Sequence, residues 1–357
     1  KMFVSDRRRR TEMEVNMKKR MLGNIEVGCI GMGCMGFSHA HGDPAPREEC
    51  IKMIRKAHEL GVTLFDTADV YANGHNEILV GEALKPIRDE VVILTKFNPE
   101  KDPVNDLSKG TVEEQIEARL DASLKRLDTD YIDIYMMHRV PDDLPIEVYA
   151  TAMKNLIEKG KIRSWAMSRA TASQIKKAHA IAPLAVVQNE FSMLVRTPLH
   201  DGVLDTCKEL GIGFTPYMPL ASGFLSGAYK PGMKYSNDDI HRVFSWFTDE
   251  NLEKNQPILD MLEKYATKKN ATYAQIALAW LMHKYDRLVP IPGMYQEKFI
   301  YENLKTADIE LMDKEVNEID NTLDSLTVYG DGQEWRVEQL RDMLKEEGYE
   351  VEKSWKK

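Results

Sequence analysis

The stretch GMGCMG at residues 31–36 has the G-x-G-x-x-G spacing of a dinucleotide-binding turn, and its flanks decide which α/β fold the chain adopts. In a Rossmann turn the glycines join a strand to a helix that opens on the third glycine, with an acid about 20 positions further on for the ribose. IEVGCI, residues 25–30, is apolar and alternating enough for the strand. The segment after Gly36 is FSHAHGDPAP, where Gly42, Pro44 and Pro46 forbid a helix. Lys56 stands where the ribose acid belongs, on an amphipathic segment. The Rossmann reading fails on both counts, and the glycines belong to another fold.

Eight short β-rich runs recur along the chain, each succeeded by a segment of helical period, the pattern of parallel strands joined by crossover helices. They are VGCIGM near residue 30, VTLFDTA near 65, VVILTKF near 94, YIDIYMMH near 135, KIRSWAMS near 165, LAVVQNEF near 187, GIGFTPYMPL near 215 and RLVPIPG near 289. Eight such units close a (β/α)8 TIM barrel. The expected helix at residues 111–127 opens on a capping box, Thr111 with Glu114, and places Ile116, Leu120, Leu124 and Leu127 on one face. Helices at 48–60 and 147–159 stop at Gly61 and Gly160, and one at 272–284 opens on Thr272 with Gln275. A long loop and two helices are inserted between the seventh and eighth runs, where barrels often cover a ligand. The expected organisation is one α/β barrel over residues 17–328, a disordered extension at 1–16 and a charged helical appendage at 329–357.

Composition removes several function classes. The 48 basic and 57 acidic residues leave a net charge of −9, which argues against general affinity for nucleic acid or an anionic membrane. Cys29, Cys34, Cys50 and Cys207 form no C-x-x-C pair and no disulfide framework, which suits a reducing cytoplasm. No apolar run approaches the roughly 18 residues of a membrane span, and the basic start lacks an apolar h-region.

Barrel active sites lie at the C-terminal ends of the strands. The second run ends in Asp66 and carries Tyr71 in the loop beyond it, the third ends in Lys96, and the fourth ends in His138. Adjacent strand ends bring these four side chains together. A tyrosine ionises near 10 and is a weak acid at neutrality, but a neighbouring ammonium favours its phenolate and makes it a better donor. Asp66 would keep Lys96 charged and aimed, while His138 would orient the oxygen of a substrate. The set suits reduction of a carbonyl group.

These residues resemble the aldo-keto reductases, whose Asp, Tyr, Lys and His tetrad falls at these strand ends. The resemblance covers roughly residues 20–325 and rests on FDTADVYANGHNEILVGEAL, GKIRSWAMS, VVQNEFSM, GIGFTPYMPLASGFLSG and PIPG with ENL beyond it. It implies hydride transfer between NAD(P)(H) and an aldehyde or ketone, or an alcohol in reverse, without metal. Tyr71 would be the general acid, Lys96 and Asp66 its tuning pair, and His138 the orienting residue. Ser168 and Gln188 match carboxamide-binding positions, and Tyr217 matches the ring stacked on the nicotinamide. Leu220, Ser222 and Leu225 fall in the pyrophosphate loop, and Glu302 and Asn303 match adenine contacts. Gly31 and Gly33 would line the nicotinamide end, with Gly293 at the far phosphates.

The sequence departs from that pattern after PIPG. Met294, Tyr295 and Phe299 replace the hydroxyl and cationic residues that grip the 2′-phosphate of NADPH, and Lys298, offset by one helical position, is expected to point elsewhere. Each missing charge-assisted hydrogen bond removes about 1.5–3 kcal/mol. NAD(H) is therefore expected to serve at least as well as NADP(H). Met218 also replaces a small hydroxyl residue after the stacking tyrosine.

Other readings keep part of this chemistry. A metal-dependent barrel hydrolase would use His39 and His41 of HAH, but the later strand ends offer Ser168, Asn189, Pro292 and Gly293 in place of further ligands. A redox sensor, or a redox-neutral enzyme holding NAD(P) tightly, would bind the cofactor without net reduction. Phe37, Phe244, Trp246 and Phe247 are candidates for an apolar substrate pocket, although aromatics on a long loop more often form its own core. The partner expected is a small-molecule carbonyl or alcohol; its identity and the oligomeric state are not legible.

Overall fold

A computed structural model describes residues 17–38, 45–236 and 239–331. The chain enters through an antiparallel hairpin, β1 (Lys19–Leu22) and β2 (Ile25–Gly28), which pairs Leu22 with Ile25 across a turn at Gly23. Leu22 and Val27 plug the barrel floor, buried with Leu64, Leu94, Ile134, Ala166 and Val289. Arg20 fixes the plug by donating to the carbonyls of Met282, Tyr285 and Leu288 at 2.6–2.9 Å. Residues 25–28 are thus not a barrel strand, as their alternation suggested. A half-buried hairpin arm carries the same alternation.

The strands of the barrel wall run in strict order. They are β3 (Met32–Gly33), β4 (Leu64–Asp66), β5 (Val92–Phe97), β6 (Ile132–Met137), β7 (Ile162–Ser168), β8 (Leu184–Gln188) and β9 (Gly213–Phe214), each parallel to the next. Every residue of β5 and β6 is buried, because side chains fill the barrel on one face and helices cover the other. The eighth segment, residues 288–293, closes the ring without forming a full ladder. Val289 donates to Phe214 at 2.8 Å, while Gly31 and Gly33 donate to Pro290 and Pro292 at 2.9 and 3.1 Å. The two prolines accept but have no N–H to give back. Together these contacts make a (β/α)8 TIM barrel.

The opening glycines serve this closure. A Cβ on Gly33 would lie 2.7 Å from the Ile291 carbonyl oxygen, and one on Gly31 would lie 3.0 Å from both Ile291 and Leu64 side chains. Only glycine lets the first strand approach the last so closely.

Outside the strands lie α1 (Arg47–Glu59), α2 (His75–Leu84), α3 (Val112–Leu127), α4 (Ile146–Glu158), α5 (Ala172–Ile181) and α6 (Val203–Leu210). Further on come α7 (Asp249–Lys254), α8 (Gln256–Lys269), α9 (Tyr273–His283), α10 (Glu297–Leu304) and α11 (Asp313–Ser325). The expected capping boxes at Thr111 and Thr272 form, and Thr171 with Gln174 adds a third. The insertion after β9 crosses the mouth of the barrel as turns that include Ile240–Arg242 and Ser245–Phe247 before α7 begins. The extension at 1–16, His39 and His41, and the appendage beyond Asp331 lie outside the described residues. Among the described residues no helix is long and apolar enough to cross a membrane.

Candidate active site

The centre is a buried ion pair. Lys96, wholly buried near the end of β5, donates to Asp66 Oδ1 at 2.6 Å and to the Thr67 carbonyl at 2.7 Å. It also reaches Tyr71 Oη at 3.5 Å. Asp66 is held from its other oxygen by Gln188 Nε2 at 2.9 Å, and Gln188 also reaches Thr215 Oγ1 at 3.2 Å. The Tyr71 ring meets His138 edge-on, with centroids 5.9 Å apart. The structure therefore brings Asp66, Tyr71, Lys96 and His138 together from three neighbouring strand ends.

Tyr71 is held in place by strain and by buried polar contacts. Ala72, Asn73 and Gly74 all have left-handed backbone, at φ of 47°, 52° and 84°. Such a run persists only where its surroundings fix it. Asn76 accepts from Thr67 Oγ1 at 2.6 Å and donates to the Cys34 carbonyl at 2.9 Å, tying this turn to β4 and to the loop after β3. Glu77, also wholly buried, takes Thr95 Oγ1 and Arg126 Nε at 2.6 Å each. The polar residues of TADVYANGHNE are thus mostly the frame that aims one tyrosine.

Burial, and then the charges of Lys96, Arg139 and Arg169, push the His138 imidazole well below its usual range, so the ring is neutral. Its buried Nδ1 makes no hydrogen bond among the described residues. Asp69, beneath the tyrosine turn, is displaced the other way: burial and then the neighbouring Glu77 push its carboxyl up to about 7. An unfolded chain loses this proton near 3.8, whereas the folded chain keeps it until about pH 7. Raising the pH between those values favours unfolding. Asp69→Asn should gain stability over the parent progressively from pH 4 to 7 and hold a constant advantage above. Urea unfolding at pH 5, 6 and 8 checks this; a difference independent of pH would refute it.

A cavity of about 570 Å³ opens above these side chains. Gly33, Asp66, Tyr71, His138, Ser168 and Gln188 line its inner end, and Tyr217, Leu220 and Ser222 line it further out. Gly293, Glu302 and Asn303 also face it. Gly31 packs one step deeper in the barrel and Leu225 is wholly buried, so neither is on the wall. Between Tyr217 and Leu225 the backbone is left-handed at Met218, Ala221, Ser222 and Gly223, the kind of turn whose N–H groups can converge on an anion. Met294 is buried beneath, while Tyr295 and Phe299 reach the cavity with their rings 5.3 Å apart. Lys298 lines the cavity too, contrary to the expectation that it points away.

Of the aromatic candidates only Phe244 lines the cavity; Phe37, Trp246 and Phe247 are buried elsewhere. Phe247 packs instead with Tyr229, Tyr235 and His241. Sequence reasoning misses His241, yet its Nε2 lies 2.7 Å from the Ser222 carbonyl. It also misses Lys101, Arg139 and Arg169, which line the cavity. For two of them a signal is present: Arg139 directly follows His138, and Arg169 directly follows Ser168.

The aldo/keto reductase family model matches residues 29–324. The chain belongs to the aldo-keto reductase family. It is 37% identical over 310 residues to a probable aldo-keto reductase 1 of Glycine max, covering 87% of this chain and 89% of that one. It is 38% identical over 322 residues to the aldo-keto reductase yakc [NADP(+)] of Schizosaccharomyces pombe, covering 88% and 94%. The glycerol dehydrogenase AKR11B4 of Gluconobacter oxydans shares the fold at a TM-score of 0.76 and 24% identity, over 89% of this chain and 98% of that one. Aldo-keto reductases are NAD(P)H-dependent carbonyl oxidoreductases, and this enzyme is one of them.

Proposed function

We propose that Tyr71 protonates the carbonyl oxygen of a small-molecule aldehyde or ketone while its carbon is reduced. The observation that carries this reading is the buried chain from Asp66 through Lys96 to Tyr71, with contacts of 2.6 and 3.5 Å. A substrate oxygen placed against Tyr71 Oη gains negative charge in the transition state and draws the phenolic proton. Lys96 stabilises the phenolate left behind, and Asp66 keeps the ammonium charged and immobile. Neutral His138 donates a hydrogen bond to the same oxygen and sets the angle of the carbonyl without competing as an acid. Screening aldehydes and ketones for oxidation of NADH and NADPH tests the reading, and no turnover across such a panel would refute it.

A bound nicotinamide dinucleotide would supply the hydride. Its placement is supported by a cavity that runs from Tyr71 past Tyr217 to α10, with left-handed backbone at Ser222 and Gly223 on the way. Ser168 and Gln188 would take the carboxamide, Tyr217 would stack on the ring, and Leu220 and Ser222 would form the pyrophosphate turn, with buried Leu225 anchoring it from beneath. Gly33 would admit the nicotinamide end, while Gly293, Glu302 and Asn303 would hold the adenosine half. The curated relative from Schizosaccharomyces pombe is named for NADP(+).

The adenosine end of this chain offers Met294, Tyr295 and Phe299 with one ammonium, Lys298. A single flexible cation replaces several ligands of a 2′-phosphate, so kcat/KM with NADPH should lie within about tenfold of that with NADH. Lys298→Met should abolish whatever NADPH advantage remains. A hundredfold preference for NADPH in the parent enzyme would overturn this.

A further inference from the structure

The turn assigned to the pyrophosphate is strained, and the insertion after β9 braces it. Ala221 and Ser222 hold left-handed backbone at φ of 49° and 52°, unusual for residues that carry a side chain. Such strain lasts only where neighbours fix it. His241, 3% exposed, supplies one brace. Its Nε2 lies 2.7 Å from the Ser222 carbonyl oxygen, and because a carbonyl only accepts, Nε2 is the donor. Tyr229 supplies the other. Its ring packs so tightly on the Gly223 backbone that a Cβ there would come within 2.9 Å of it.

His241 is itself held from several sides. The Asp239 carboxylate faces Nδ1 and accepts the His241 backbone N–H at 3.0 Å. The imidazole stacks on Tyr229 with centroids 4.4 Å apart and meets Phe247 edge-on at 4.3 Å. The insertion also reaches the adenosine end of the cavity, where burial and then the Asp239 carboxylate push the Tyr295 phenol up to about 12. Tyr229, Asp239, Ile240 and His241 line the cavity with Ser222 and Tyr295, along the route a dinucleotide would take.

Resting on the cofactor placement above, we infer that His241 is a positioning residue for the dinucleotide, fixing the Ser222 peptide in the pyrophosphate turn and pinning the insertion over the bound cofactor. Losing its Nε2 donor releases both, and the cofactor leaves faster.

The test is stopped-flow release of NADH and of NADPH from the full chain, chased with excess oxidised cofactor and followed by fluorescence. His241→Phe keeps a ring against Tyr229 but cannot donate, so koff and Kd should rise about tenfold, near the contribution of one buried hydrogen bond. His241→Asn reaches no further than Nδ1 and should behave alike, which keeps the test decisive if the phenylalanine variant does not fold. His241→Gln, whose amide nitrogen reaches the place of Nε2, should restore most of the parent's retention. In steady state the cofactor KM should rise without a matching fall in kcat, the mark of lost binding. Values of koff and Kd within twofold of the parent in the folded variants, whatever their urea midpoints, would make His241 merely structural. That result would overturn the inference and leave the reductase reading intact. A parent enzyme that retains neither NADH nor NADPH would refute the cofactor placement, and the inference with it.

Discussion

Tyr71→Phe should lower kcat at least about a hundredfold while leaving the fold and the cofactor affinity in place. The substitution removes one oxygen and keeps the ring that meets His138 edge-on at 5.9 Å. Lys96 and Asp66 remain paired at 2.6 Å, so the local charge is preserved. The proton donor is lost, and a positioned general acid contributes about 10²–10⁴-fold. Because the proton moves in the transition state, the loss should fall on kcat and kcat/KM alike. A rate within threefold of the parent would show that the proton comes from elsewhere, with His138 the next donor to examine.

Lys96→Met should be the most damaging substitution for stability. Lys96 is wholly buried and Asp66 is 3% exposed, so removing the ammonium leaves a carboxylate in the barrel that keeps the neutral donor Gln188 but no cation paired with it among the described residues. Breaking one side of a buried pair costs about 3–5 kcal/mol, chiefly through the uncompensated charge. The variant should show a clear fall in urea midpoint together with loss of turnover. Adding Asp66→Asn removes the stranded charge, so the double variant should regain much of the stability and none of the activity. A single variant as stable as the parent would mean that Asp66 is not relying on Lys96. Activity restored in the double variant would mean that the pair does not tune Tyr71.

Much of the site is legible in the sequence because barrel geometry converts sequence order into spatial neighbourhood. Asp66, Lys96 and His138 each end a β-rich run, so counting runs suffices to place them side by side. Thr111 and Thr272 announce their helices through local hydrogen bonds that need no tertiary context. The features that escape such a reading depend on contacts between distant segments. Residues 25–28 alternate like a barrel strand, and only their pairing with residues 19–22 makes them a floor plug. Gly31 and Gly33 are expected to make room for a cofactor, whereas both are packed against the eighth segment and Gly33 alone reaches the cavity.

Lys298 shows a different kind of failure. An offset of one residue suggests a change of helix face, yet Lys298, Phe299, Glu302 and Asn303 all reach the cavity. Positions spaced by one, four and five residues share a broad helical face, so this is recoverable from periodicity. His241 is not recoverable, because its contact with Ser222 depends on how a long loop folds back over the barrel.

The most direct test of hydride transfer uses a cofactor deuterated at the nicotinamide C4 position, with an accepted aldehyde and mass spectrometry of the alcohol formed. The expected result is deuterium on the carbinol carbon from one of the two C4-labelled diastereomers and none from the other, with the hydroxyl proton drawn from solvent. Alcohol without label from either diastereomer would contradict the mechanism assigned to this barrel.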